Sequence, residues 1–146
     1  MGHGFRETPE DGMTFLKLYA VSMTAFLALD ALWLGVLARG FYRDQLGELL
    51  RPDPRWGAAL VFYALFVAGI VVFVTLPALE RSSPARALAF GALFGLITYA
   101  TYDLTSLAVL RGFPTLVAVV DMAWGATISA TVAAAGYFAA GWLGVT

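Results

Sequence analysis

The amino-acid sequence predicts an all-α integral membrane protein, a four-helix bundle running up-down-up-down with a short interfacial helix in its first loop. Three observations predict it. The 146 residues are 60% hydrophobic and only 13% charged, with a mean hydropathy of +0.79, too little charge to cover a soluble domain of this size. Four apolar stretches, Thr14–Ala38, Ala58–Leu79, Ala87–Leu110 and Leu116–Leu143, each exceed the roughly 20 residues that cross a hydrocarbon core. None shows strand alternation, and backbone groups in lipid must be satisfied within their own segment, so these stretches are helices.

Residues 1–12 are polar and read as a disordered leader, with Met13 an alternative start; residues 13–146 form one domain. The first stretch is too long for a signal-peptide core, carries Asp30 and Trp33, and is retained as a helix. In the first loop, Phe41, Tyr42, Leu46, Leu49 and Leu50 alternate with Arg43, Asp44, Gln45 and Glu48 at helical spacing. That pattern predicts an amphipathic helix lying in the interface and stopped at Arg51-Pro52-Asp53-Pro54, although an aromatic-anchored loop fits the same residues. Trp56 marks the interface where the second helix begins. This second helix has no charge and only Tyr63 and Thr75 as polar groups, and reads as a wall or a lipid-facing helix. A tight polar turn, Glu80–Arg86, leads to the third helix. Arg111-Gly112-Phe113-Pro114-Thr115 then stops that helix and starts the fourth, making the two a close antiparallel hairpin. Gly91-x-x-x-Gly95 and Gly125-x-x-x-Ser129-x-x-x-Ala133 let helix backbones approach closely, within the chain or between two copies.

Three aspartates interrupt these stretches. A carboxylate well inside a bilayer costs about 2.5–3.5 kcal/mol on insertion scales, so idle ones are rare. Asp30 precedes Ala38, Asp103 precedes Leu110 and Asp121 follows Leu116, and all three of those helix ends face one side. At about 1.5 Å of rise per residue, the carboxylates sit roughly 8–12 Å below that interface. They are the candidate acid/base or proton sites. Tyr99, Tyr102, Asp103 and Ser106 share a helix face, as do Asp121, Trp124 and Gly125. Asp30 and Trp33 repeat the Asp-x-x-Trp spacing of Asp121 and Trp124 on a helix of opposite direction. A pocket lined by Trp33, Tyr99, Tyr102, Thr105, Ser106 and Trp124 around the acids suits a ligand with an apolar body and a polar or cationic head. No lysine or arginine lies near them within the helices, although Arg39 and Arg111 could fold inward. Otherwise three carboxylates in low dielectric cannot all ionise, and a proton donor beside a base is what acid–base chemistry or proton coupling requires.

Each acid also has an architectural reading. Asp30 could hold the bundle by accepting from tyrosine hydroxyls, Asp103 could accept from Tyr99 or Thr105, and Asp121 could cap the fourth helix near Thr115. No cysteine is present and His3 is the single histidine, so thiol chemistry, cysteine-ligated metal and intramembrane histidine ligation fall away; no metal and no cofactor are expected. A net charge of −1 offers no basic face for nucleic acid.

Through Leu29-Asp30-x-x-Trp33-Leu34-Gly35, Thr101-Tyr102-Asp103-Leu104-Thr105 and Asp121-x-x-Trp124-Gly125, the chain resembles the bacterial DUF2177 family of small predicted membrane proteins. The likeness runs from Met13 to about Leu143. Where the family pattern carries an asparagine after the threonine, this chain has Ser106. The resemblance implies four helices in a bacterial inner membrane, a placing of the termini in the cytoplasm that the nearly balanced basic residues leave open, and company with lipid-modifying genes. It implies no mechanism. Three functions fit the residues: a site for a lipid-soluble or amphipathic molecule serving a lipid-modification enzyme or accessory, a proton-coupled transporter acting as a dimer, and a non-catalytic subunit of a larger membrane complex. Membrane lipid or an amphiphile is the expected partner.

Overall fold

The computed structural model describes residues 9–145. Four helices are long and apolar enough to cross a membrane: span 1, Glu10–Leu37; span 2, Trp56–Glu80; span 3, Pro84–Val109; and span 4, Thr115–Leu143. The described residues contain no strand. The all-helical membrane bundle expected from the sequence is what the chain forms. Helix already begins at Pro9, so residues 9–12 of the polar leader are helical, and residues 1–8 lie outside the described residues.

Local chemistry sets the boundaries. The Ser83 hydroxyl accepts from the Arg86 amide at 3.2 Å and Pro84 opens span 3, an N-cap followed by the one residue whose missing N–H costs nothing there. Span 4 starts after Pro114 and ends at Gly144, whose φ of 67° is the left-handed conformation that closes helices. Two segments wind wider than an α-helix, Trp33–Leu37 and Val71–Thr75. The second has a visible cause. Pro77 can neither donate to the Phe73 carbonyl nor fit against it, so the turn before it loosens.

Spans 3 and 4 form the closest pair. A Cβ on Gly91 would meet Ala130 Cα at 2.9 Å and Ser129 O at 3.0 Å, while one on Gly95 would run into the Gly125 carbonyl and the Ser129 hydroxyl. The small residues therefore serve a seam within the chain, which withdraws them as a docking seam for a second subunit. Span 1 lies along span 4, and span 2 packs on span 1. Phe26, Phe66, Val67, Ile70, Ile128 and Val132 meet at the centre.

Span 2 treats span 3 differently along its length. Val71–Glu80 packs against it closely, whereas Trp56–Ile70 stands away. The wedge between them is bridged by rings: Phe66 with Phe94 (5.6 Å between centroids), and Tyr99 with Phe66 (5.8 Å) and Phe62 (6.4 Å). The interfacial helix, Arg39–Leu46, presses Phe41, Tyr42 and Leu46 onto Phe113, Val117 and Ala118, closing the bundle at the end of loops one and three.

Candidate functional site

Beneath the interfacial helix lies a cavity of about 550 Å³. Span 1 contributes Asp30, Trp33 and Leu34, span 4 Asp121 and Trp124, and the interfacial helix Tyr42. The splayed spans 2 and 3 supply Ala59, Phe62 and Tyr63 on one side and Thr98, Tyr99 and Tyr102 on the other. Phe62 and Tyr102 are 43% and 58% exposed, so the rim between those spans opens sideways towards lipid rather than into the bundle.

Asp30, 6% exposed, is fully engaged. The Tyr63 hydroxyl donates to its Oδ2 at 2.8 Å and the Trp124 indole N–H to its Oδ1 at 3.4 Å. At the other end the Trp33 indole donates to the Tyr42 hydroxyl at 3.1 Å, and that hydroxyl donates to Asp121. The two indoles stack, 4.5 Å apart and within 8° of parallel. The paired Asp-x-x-Trp segments are thus crossed: the tryptophan of span 4 serves the aspartate of span 1, and that of span 1 serves the aspartate of span 4 through Tyr42. Burial, and next the hydrogen bond to Asp121, hold the Tyr42 phenol well above its ordinary value, so it remains a donor.

Asp103 is different. It is wholly buried, and neither oxygen receives a hydrogen bond from a hydroxyl, amide or cation among the described residues. What faces it at hydrogen-bonding range is the carboxyl of Asp121. Carboxylates only accept, so this contact is a hydrogen bond only when one proton lies between the two. Asp103 stands behind Asp121, outside the cavity wall.

The structure therefore brings Asp30, Trp33, Tyr99, Tyr102, Asp121 and Trp124 to one cavity, with Asp103 next to it. Ser106 is buried, one turn after Tyr102 on span 3. Thr105 is exposed and donates to the Thr101 and Tyr102 carbonyls of its own helix, away from the cavity. The architectural reading of Asp121 does not describe its position, since span 4 starts at Thr115 with no side-chain cap and Asp121 is held by Tyr42. Tyr42 and Tyr63 line the cavity and donate to its carboxylates, and sequence reasoning did not single them out for it. Tyr63 carried a signal, being a polar residue in an otherwise uncharged span at the depth of the aspartates. The second span is thus more than a wall. Among the described residues, no cluster of three or more His, Cys, Asp or Glu side chains could hold a metal ion.

The model of the family of predicted membrane proteins DUF2177 matches residues 15–138, and the chain belongs to that family. No curated protein and no solved structure matches.

Proposed function

We propose that this multi-pass membrane protein holds a lipid-soluble or amphipathic molecule in the cavity beneath its interfacial helix, with the polar head at Asp121 and Asp30. The apolar body leaves between spans 2 and 3 into the bilayer. The single observation that carries this reading is the cavity itself, about 550 Å³, with carboxyl groups inside, aromatic walls and an apolar rim turned to lipid. Asp121 and Asp103, able to hold one proton between them, supply an acid and a base at the head group. In this reading the protein serves lipid modification, as the enzyme or as its accessory, in a bacterial inner membrane with its termini in the cytoplasm.

The test is purification in a mild detergent followed by native mass spectrometry of the wild type, Asp121→Asn and Trp124→Ala. One amphiphile per chain, bound to the wild type and lost from both variants, is expected. A stoichiometric protein partner with no small molecule, unchanged by either substitution, would show a structural subunit instead.

A further inference from the structure

Resting on that pocket, the geometry points to a narrower class of ligand: we infer that the head group is a monovalent organic cation, an ammonium, taken up in exchange for the proton between Asp103 and Asp121. Three carboxyl groups lie together, and among the described residues none of them forms an ion pair with lysine or arginine. A negative site in low dielectric is satisfied by a cation, whereas a neutral head group leaves the charge uncompensated.

The walls agree. The hydroxyls of Tyr42 and Tyr63 are engaged by carboxylates, and that of Thr98 by the Phe94 and Gly95 carbonyls. These walls therefore turn mainly aromatic faces to the interior, with the stacked Trp33 and Trp124 at the centre and the Tyr99 hydroxyl as a donor left over. Aromatic faces beside a carboxylate bind ammonium groups, whereas the carboxyl groups repel a phosphate or sulfate.

The carboxyl pair couples binding to a proton. Before uptake the pair holds one proton and carries one negative charge. When an ammonium reaches Asp121, the proton between the two carboxyls departs, and cation plus two carboxylates again sum to one negative charge. The wholly buried Asp103 has no other donor, so proton and cation replace each other. The groups facing the pair are Tyr42 from the interfacial helix, Tyr102 from span 3 and Asp30 from span 1, with Tyr63 and Tyr99 next to Asp30. Of these only Asp30 is a base, and both of its oxygens already accept, from the Tyr63 hydroxyl and the Trp124 indole, so the released proton goes to solvent.

The experiment is calorimetric titration of the full chain in lipid nanodiscs with dodecyltrimethylammonium, with empty nanodiscs as the blank, in two buffers of different ionisation enthalpy. The neutral isostere, the same chain ending in a tert-butyl group, and dodecyl sulfate serve as comparisons. About one proton released per cation bound is expected, with affinity rising about tenfold per pH unit while the pair still holds its proton. The isostere should bind at least about tenfold more weakly and release no proton. Asp103→Asn, which leaves a single carboxylate beside an amide donor, should bind the cation without proton release; the wild-type pH series stands alone if that variant does not fold. Equal binding of cation and isostere, or tighter binding of dodecyl sulfate, overturns the cation inference and leaves the pocket standing. Binding of none of the three overturns the pocket as well.

Discussion

Asp30 and Asp121 occupy corresponding places on two helices of opposite direction. Each has a tryptophan three residues later, and each receives a tyrosine hydroxyl from another element, Tyr63 for Asp30 and Tyr42 for Asp121. The difference is the third carboxyl. Asp30 has a donor on each oxygen and is complete as it stands, while Asp121 faces Asp103, a second acceptor with no donor of its own. One half of the site is built like an anchor, and the other sets two carboxyl groups face to face with no donor on Asp103. A buried carboxylate is therefore not one kind of evidence: what surrounds it decides whether it holds the fold or waits for a proton or ligand.

That contrast can be broken outright or sharpened by degrees. The largest effect is expected from Gly95→Leu, whose side chain would enter the Gly125 carbonyl and the Ser129 hydroxyl and separate the two helices that carry Asp103 and Asp121. A loss of about 4 kcal/mol or more is expected, read as failure to recover a monodisperse, thermally cooperative protein. Next is Asp30→Ala, which orphans the Tyr63 hydroxyl and the Trp124 indole and should cost about 2–4 kcal/mol in thermal unfolding followed by tryptophan fluorescence. Asp103→Asn should move the other way by about 1 kcal/mol, because its amide puts a donor opposite Asp121 where an acceptor with no donor now stands. If Asp103→Asn destabilised the protein as much as Asp30→Ala, the distinction between the satisfied and the unsatisfied carboxyl would be wrong.

Smaller effects test the edges. The fold favours the protonated phenol of Tyr42, so its contribution is complete below the ordinary tyrosine value of about 10 and is lost as pH rises above it. Wild type should therefore lose more stability between about pH 10 and 11 than Tyr42→Phe, measured by thermal midpoints across that range. Thr105→Ala should change stability and ligand binding least, by less than about 0.5 kcal/mol, since its hydroxyl serves only its own helix.

Much of this was legible in the residues. Span length, the hairpin at Arg111–Thr115 and the close approach of Gly95 to span 4 follow from local composition, and the shared depth of the aspartates from helical rise. The partners of those aspartates were not legible in the same way. Tyr42 reads as one more interfacial aromatic until Arg39–Leu46 folds back over span 4, and Tyr63 finds Asp30 only once span 2 is packed on span 1. Helical periodicity assigns a residue to a face of its own helix and says nothing of which neighbour that face will meet. Thr105 shows the same limit, since membership in a polar stretch did not bring its hydroxyl to the cavity. The loosened turn at Val71–Thr75 had a local signal in Pro77, whereas that at Trp33–Leu37 contains only Gly35 as a hint.

On the proposed reading, the gap between the outer parts of spans 2 and 3 sets which concentration governs occupancy. A cavity that opens sideways meets its ligand already dissolved in lipid, so its occupancy follows the mole fraction of that molecule in the membrane. Each added methylene shifts an amphiphile from water to bilayer by about 0.8 kcal/mol, or roughly fourfold in partition. Affinities expressed per aqueous concentration should climb by that factor along a homologous series, and those expressed per lipid should stay nearly level. For such a ligand the bilayer would act as a concentrating phase, and a site of modest intrinsic strength would suffice.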